Sequence, residues 1–153
     1  MSGAAANGTA AAPPRQYIAF DYGRRRIGVA TGESLLAQAR PLLTLEAEPV
    51  AVRDAAIDRL VREWRPDALV VGVPRHPDGA PHRNTERAER FARELQRRLR
   101  LPLHLVDERY STVEAERGAP RGGGPGGLDA AAAAVILEQF FHDPTTAIEP
   151  PAA

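Results

Sequence analysis

Tyr17-Ile18-Ala19-Phe20-Asp21-Tyr22-Gly23-Arg24-Arg25-Arg26-Ile27-Gly28-Val29-Ala30 is the stretch on which the fold turns. Its first four residues are a short apolar run of the kind that forms a buried strand. Arg24 to Arg26 are expected to make a turn, and Ile27 to Thr31 the second arm of a hairpin. An acid, Asp21, sits directly after the first arm.

Working outward, Leu42 to Leu45 reads as a third short strand. Pro49 opens a helix in which Val52, Ala56, Leu60 and Trp64 recur at near-helical spacing, with Pro66 just past its end. Leu69-Val70-Val71-Gly72-Val73 is a near-continuous apolar run suited to a strand covered on both faces. Pro74 to Pro81 reads as a loop, and residues 83–99 as an amphipathic helix with Ala88, Phe91, Ala92, Leu95 and Leu99 on one face. Leu101 to Val106 is a further buried strand. Ser111 or Thr112 is placed to cap a short helix over Val113 to Glu116. After the glycine-rich stretch Arg121 to Gly127, an apolar helix runs from Leu128 to about Phe141. A hairpin meander followed by alternating strands and helices implies an α/β fold, a mixed sheet with helices packed against it. Other α/β folds share that pattern.

The 153 residues suffice for one core and not for two ordinary domains. Residues 1–15 and 144–153 are poor in large apolar side chains and read as disordered tails around a domain at 16–143. No apolar run approaches the length of a membrane span, and the Ala/Gly/Pro-rich start has neither the basic residues nor the apolar stretch of a secretory signal. The absence of cysteine excludes disulfides and Cys-ligated zinc, so a soluble cytoplasmic protein with no membrane partner is expected. Net charge is zero, which by itself argues against nucleic acid. Yet every basic side chain is Arg, with a run at 24–26 and a crowd at Arg83, Arg87, Arg90, Arg93, Arg97, Arg98 and Arg100. Guanidinium forks suit phosphate, but a GC-rich genome also yields all-Arg usage, so charge decides nothing here.

Phosphodiester cleavage assisted by divalent ions needs carboxylates converging on a small volume, because hard Mg²⁺ or Mn²⁺ prefers oxygen ligands. Asp21, Asp107, Glu108 and Asp129 all follow apolar segments, and strands ending at one sheet edge would gather them. Each has a plain structural role as an alternative: Asp21 can begin a turn, and Asp129 can favour the positive end of a helix. His76 and His82 lack the partners a zinc site needs and read as surface residues.

Read as whole motifs, these residues are more specific. Asp21-Tyr22-Gly23-Arg24-Arg25-Arg26-Ile27-Gly28-Val29-Ala30 resembles the opening signature of the YqgF (RuvX) family. Val70-Val71-Gly72-Val73-Pro74 with Asp78-Gly79 is similar to its second segment, and Asp107-Glu108-Arg109-Tyr110-Ser111-Thr112 with Glu114-Ala115 to its third. Leu128-Asp129-Ala130-Ala131-Ala132-Ala133 with Ile136-Leu137 resembles its terminal helix. The motifs occur in the family's order and cover essentially all of residues 16–142.

That resemblance implies an RNase H-like fold, with a central mixed five-stranded sheet flanked by helices. It further implies a metal-dependent nuclease using Mg²⁺ or Mn²⁺, acting in 5′-end maturation of precursor 16S ribosomal RNA. Holliday-junction resolution is the alternative, and a non-catalytic nucleic-acid-binding module a second one. The partner would be structured RNA or, for the alternative, branched DNA, with the protein a monomer or homodimer. Asp21, Glu108 and Asp129 would be the catalytic, metal-binding carboxylates. Asp107 is the less favoured neighbour, because consecutive strand residues point to opposite faces. Arg24, Arg26 and Arg109 would meet substrate. Two positions depart from the pattern. The Gly122-to-Gly127 stretch carries no basic residue where many relatives have one, and Ala132 stands where related resolvases often place a second acid. ATP-binding kinases and chaperones share this fold and an Asp-x-Gly hairpin, but the chain is short for a two-lobed nucleotide clamp.

Overall fold

The computed structural model describes residues 15–74, 84–107, 126–143 and 147–148. In chain order the elements are β1 (Gln16–Tyr22), β2 (Arg26–Glu33), β3 (Gln38–Glu46), α1 (Val50–Trp64), β4 (Ala68–Val73), α2 (Thr85–Leu99), β5 (Leu103–Asp107), α3 (Gly127–His142) and β6 (Ala147–Ile148). The expected loop beyond Pro74, through Pro81, and the short helix at Val113 to Glu116 lie outside the described residues.

One mixed sheet runs in the order β3-β2-β1-β4-β5-β6. Strands β1, β2 and β3 form an antiparallel meander, β4 and β5 continue parallel to β1, and β6 pairs antiparallel with β5. The first five strands are those the sequence predicts. Ala147–Ile148, inside the stretch whose composition reads as a tail, adds a two-residue edge strand. Strand β3 is longer than its apolar stretch Leu42 to Leu45, because its length is set by ladder pairing with β2, from Glu33↔Gln38 to Arg26↔Glu46. A strand held on an edge through its backbone needs no continuous apolar sequence.

Alternation along β1 sorts the core into two layers. Ile18 and Phe20 face α1 and α2, where they join Ile27, Val29, Ile57, Leu69, Val71, Phe91, Leu95, Leu103 and Leu105. Tyr17 and Ala19 face α3, packing with Val70, Val106, Ile136, Leu137 and Phe140. Strand β4, central and covered on both sides, is buried at all six positions, which is why its sequence is almost wholly apolar. Helices α1 and α2 are tied together by Arg98, whose guanidinium reaches Asp58 and, at 3.5 Å, Asp54. No helix among the described residues is long and apolar enough to cross a membrane.

Candidate active site

Asp21 is the sixth residue of β1 and shares the α3 face with Tyr17 and Ala19. Its antiparallel partner across the ladder is Gly28 on β2, and its parallel partner is Gly72 on β4. A half-buried carboxylate is thus flanked on both sides by residues with no side chain, at the strand ends where the sheet opens.

What stands over Gly28 is the first turn of α3. A Cβ built on Gly28 would lie 1.8 Å from the carbonyl oxygen of Asp129 and 2.8 Å from the amide nitrogen of Ala130. The helix therefore sits directly on the strand backbone, which only glycine permits. This contact is the end of a row. Ala133 packs on Ala30, and the Cδ2 of Leu137 would be 3.0 Å from a Cβ on Gly32. Helix residues 129, 133 and 137 ride on strand residues 28, 30 and 32. The match is geometric, since four helical residues advance about 6.0 Å and two strand residues about 6.6 Å. Small residues on β2 and the alanine run of α3 together bring Asp129 next to the partner of Asp21. The helix start is held from the other side by β3: Gly126 has φ 76°, and a Cβ there would lie 2.7 Å from the Cα of Leu43. Thr44 donates its hydroxyl to the Gly126 carbonyl.

Arg26, at the start of β2, donates from Nε to Oδ2 of Asp129 at 3.0 Å. Both side chains are open to solvent, 59% and 39% exposed. The cation expected to meet phosphate thus lies against one of the expected acids.

Alternation along strand β5 assigns Asp107 to a face. Leu103 and Leu105 point into the α1/α2 layer, whereas Val106 packs in the α3 layer and the His104 ring stacks on Phe140 of α3 at 5.0 Å. By the same alternation Asp107 belongs to the α1/α2 side, away from Asp21 and Asp129. Its backbone carbonyl accepts a hydrogen bond from Gln139 Nε2 at 3.1 Å. Glu108 and Arg109 lie outside the described residues, as do His76 and His82. Among the described residues, no three Asp, Glu or His side chains gather closely enough to hold a metal ion. Arg24 lines a cleft on the α1/α2 side of the sheet, apart from the acids. Ala132, which stands at the position where the resemblance expects a second acid, is 5% exposed and packs with Ala131 and Val135. Two features escaped the sequence reading: the seat of α3 on Gly28, and the role of Gly72 beside Asp21. The sequence signal for the seat of α3 is the pairing of small residues on β2 with the alanine run of α3; for Gly72 it is a lone glycine within the apolar run of β4.

A family model described as "RuvX: Holliday junction resolvase" matches residues 15–143. The chain belongs to the RuvX family. Members of similar sequence include a protein of Paraburkholderia phymatum named "Putative pre-16S rRNA nuclease", 52% identical over 125 residues that span 81% of this chain and 83% of that protein. A Burkholderia vietnamiensis protein of the same name is 47% identical over 148 residues, 94% of this chain and 95% of its own length. Among solved structures, Thermus thermophilus RuvC in complex with a Holliday junction substrate superposes with a TM-score of 0.61 at 17% identity, covering 89% of this chain and 99% of that one. At that identity the likeness speaks for the fold, which is RNase H-like. A nuclease of the RuvX family is a hydrolase of phosphodiester bonds, and the family match takes in residues 15–143 of this chain.

Proposed function

We propose that this RuvX-family member is a divalent-metal-dependent nuclease that trims the 5′ end of precursor 16S ribosomal RNA in the cytoplasm, with Asp21, Glu108 and Asp129 as its metal-binding carboxylates. The observation that carries the reading is the seating of Asp129 over Gly28, the cross-strand partner of Asp21. Two carboxylates from distant parts of the chain share one open sheet end, and both are hard oxygen donors of the kind Mg²⁺ and Mn²⁺ take. The parity of β5 counts against Asp107, which falls on the side of Leu103 and Leu105, and so supports the family resemblance in offering Glu108 as the third. Names borne by relatives of about half-identical sequence support the RNA substrate.

In hydrolysis a water oxygen bonds to phosphorus, and the bond to the leaving ribose oxygen breaks. A divalent ion held by Asp21, Glu108 and Asp129 would supply an acidified water and neutralise charge developing on the phosphate. The chain's own residues hold and orient. Asp21 is fixed by a strand paired on both sides, and Asp129 by a helix start clamped between β2 and β3, so neither depends on a loop for its position. Arg26 balances Asp129 in the free protein and, being exposed, can swing its fork toward a phosphate oxygen. Arg109, beside the acids in sequence, is a second phosphate contact.

The family description and the RuvC likeness favour a second substrate, the four-way DNA junction. Purified protein is given precursor 16S rRNA and a four-way junction, each with Mg²⁺ or Mn²⁺, alongside Asp21→Asn. Cleavage of the RNA by the wild type and not by the variant is expected. Paired symmetric cuts in the junction by a dimer, with the RNA untouched, would replace the first reading by the second. Binding of RNA with no cleavage under either ion would leave a non-catalytic module.

A further inference from the structure

The α1/α2 side of the sheet holds a cleft of about 570 Å³, on the opposite face from Asp21 and Asp129. Its floor includes Tyr22 and Phe91, with ring centroids 5.0 Å apart, and the guanidinium of Arg53 lies 5.1 Å from the Phe91 ring. Around it stand Arg24 and Arg25 from the β1–β2 turn and Arg87 and Arg90 from α2, all exposed. Arg53 is neutralised by Asp54 at 3.0 Å, but Arg24, Arg25, Arg87 and Arg90 form no ion pair with any other described residue. Glu48 and Glu94 also line the cleft, so cations remain in excess. Helix α1 opens at this cleft with Val50, has no side-chain cap and no acid in its first turn, and so presents unsatisfied N–H groups to it.

The Arg24-to-Arg26 run divides between the two sides. Arg26 reaches Asp129, while Arg24 and Arg25 line the cleft. A chain of phosphates crossing the open end of the sheet at Asp21 would therefore meet guanidinium groups continuously around the turn and into the cleft. At about 570 Å³ the cleft is within the range of pockets that enclose a small ligand, room for a few nucleotides of one strand.

We infer that the cleft grips the phosphodiester backbone of a single-stranded RNA segment flanking the cleaved bond. The inference rests on the proposed nuclease reading for its ligand class, but not on the assignment of the acids. It is tested by binding, without cleavage: fluorescence anisotropy of a labelled uridine oligonucleotide in EDTA, over a salt series. Arg87→Gln/Arg90→Gln removes two exposed cations of the cleft. Arg59→Gln/Arg62→Gln removes two exposed cations of α1 that do not line it. For a single strand each lost phosphate contact lowers the slope of log K against log salt by roughly 0.7, so the cleft variant should flatten it by about 1.4 and bind on the order of tenfold more weakly. The α1 variant should stay near the wild type, and circular dichroism should find both folded.

Equal losses in the two double variants would reduce the effect to overall charge and overturn the inference. So would unchanged binding in the cleft variant, or no binding by the wild type at low salt. Displacement of the oligonucleotide by millimolar inorganic phosphate would also overturn it, in favour of a small-anion site. Asp21→Asn, assayed separately with Mg²⁺ or Mn²⁺, reports on the acids. If it still cleaves, the nuclease site fails while the binding result stands.

Discussion

Gly28→Ala adds one methyl group at the point where helix and sheet are closest. A Cβ there would meet the Asp129 carbonyl oxygen at 1.8 Å, where real Cβ contacts stay at 3.0 Å or more, so the start of α3 must retreat by about 1.2 Å. The atoms it strikes are backbone, which cannot rotate away as a flexible side chain can. Overpacking of this kind costs roughly 1–3 kcal/mol. In a domain of this size that lowers Tm by about 2–12 °C. The functional effect should be larger than the stability effect, because the retreat carries Asp129 away from Asp21. A misplacement near 1 Å in a catalytic constellation costs on the order of 10²-fold in rate. The measurement pairs thermal unfolding with metal-dependent cleavage well below the variant's Tm. Gly127→Ala is the control, since a Cβ there has nothing within 4 Å and only the φ of 82° is unfavourable. It should lose about 1–2 kcal/mol from left-handed strain. Cleavage by Gly28→Ala at the wild-type rate would refute the argument that this glycine sets the spacing of the two acids.

Asp107→Asn should leave cleavage close to wild type while Asp21→Asn, Asp129→Asn and Glu108→Gln bring it to background with Mg²⁺ or Mn²⁺; a dead Asp107→Asn would refute the parity argument. Arg26→Gln should change Tm little, because an ion pair this exposed contributes only about 0–1 kcal/mol, yet raise KM for the nucleic acid roughly tenfold through a lost charge-assisted contact. Phe20→Ala, at a fully buried ring edge-on to Phe91 at 5.8 Å, should cost about 3–5 kcal/mol in chemical denaturation.

Where a segment's fate depends on its own apolar pattern, the sequence alone was sufficient. The Tyr17-to-Ala30 hairpin, the doubly covered β4, the amphipathic α2 and the apolar α3 all lie where their periodicity predicts, within a residue or two. The ordered motifs likewise carried the family and the nuclease chemistry. Lateral pairing lies beyond that reach. Strand β3 extends past its apolar residues, and Ala147–Ile148 joins the sheet edge, because ladder hydrogen bonds are made by backbone that every residue possesses. Depth of packing is equally a tertiary matter. In sequence, Gly28 and Asp129 belong to separate motifs about a hundred residues apart, and neither motif shows that one sits on the other; the fit of helical rise to strand rise brings them together. The division of Arg24, Arg25 and Arg26 between two sides of the sheet is decided the same way, since a run of like residues carries no sign of which face each will serve until the strands on either side of the turn are paired.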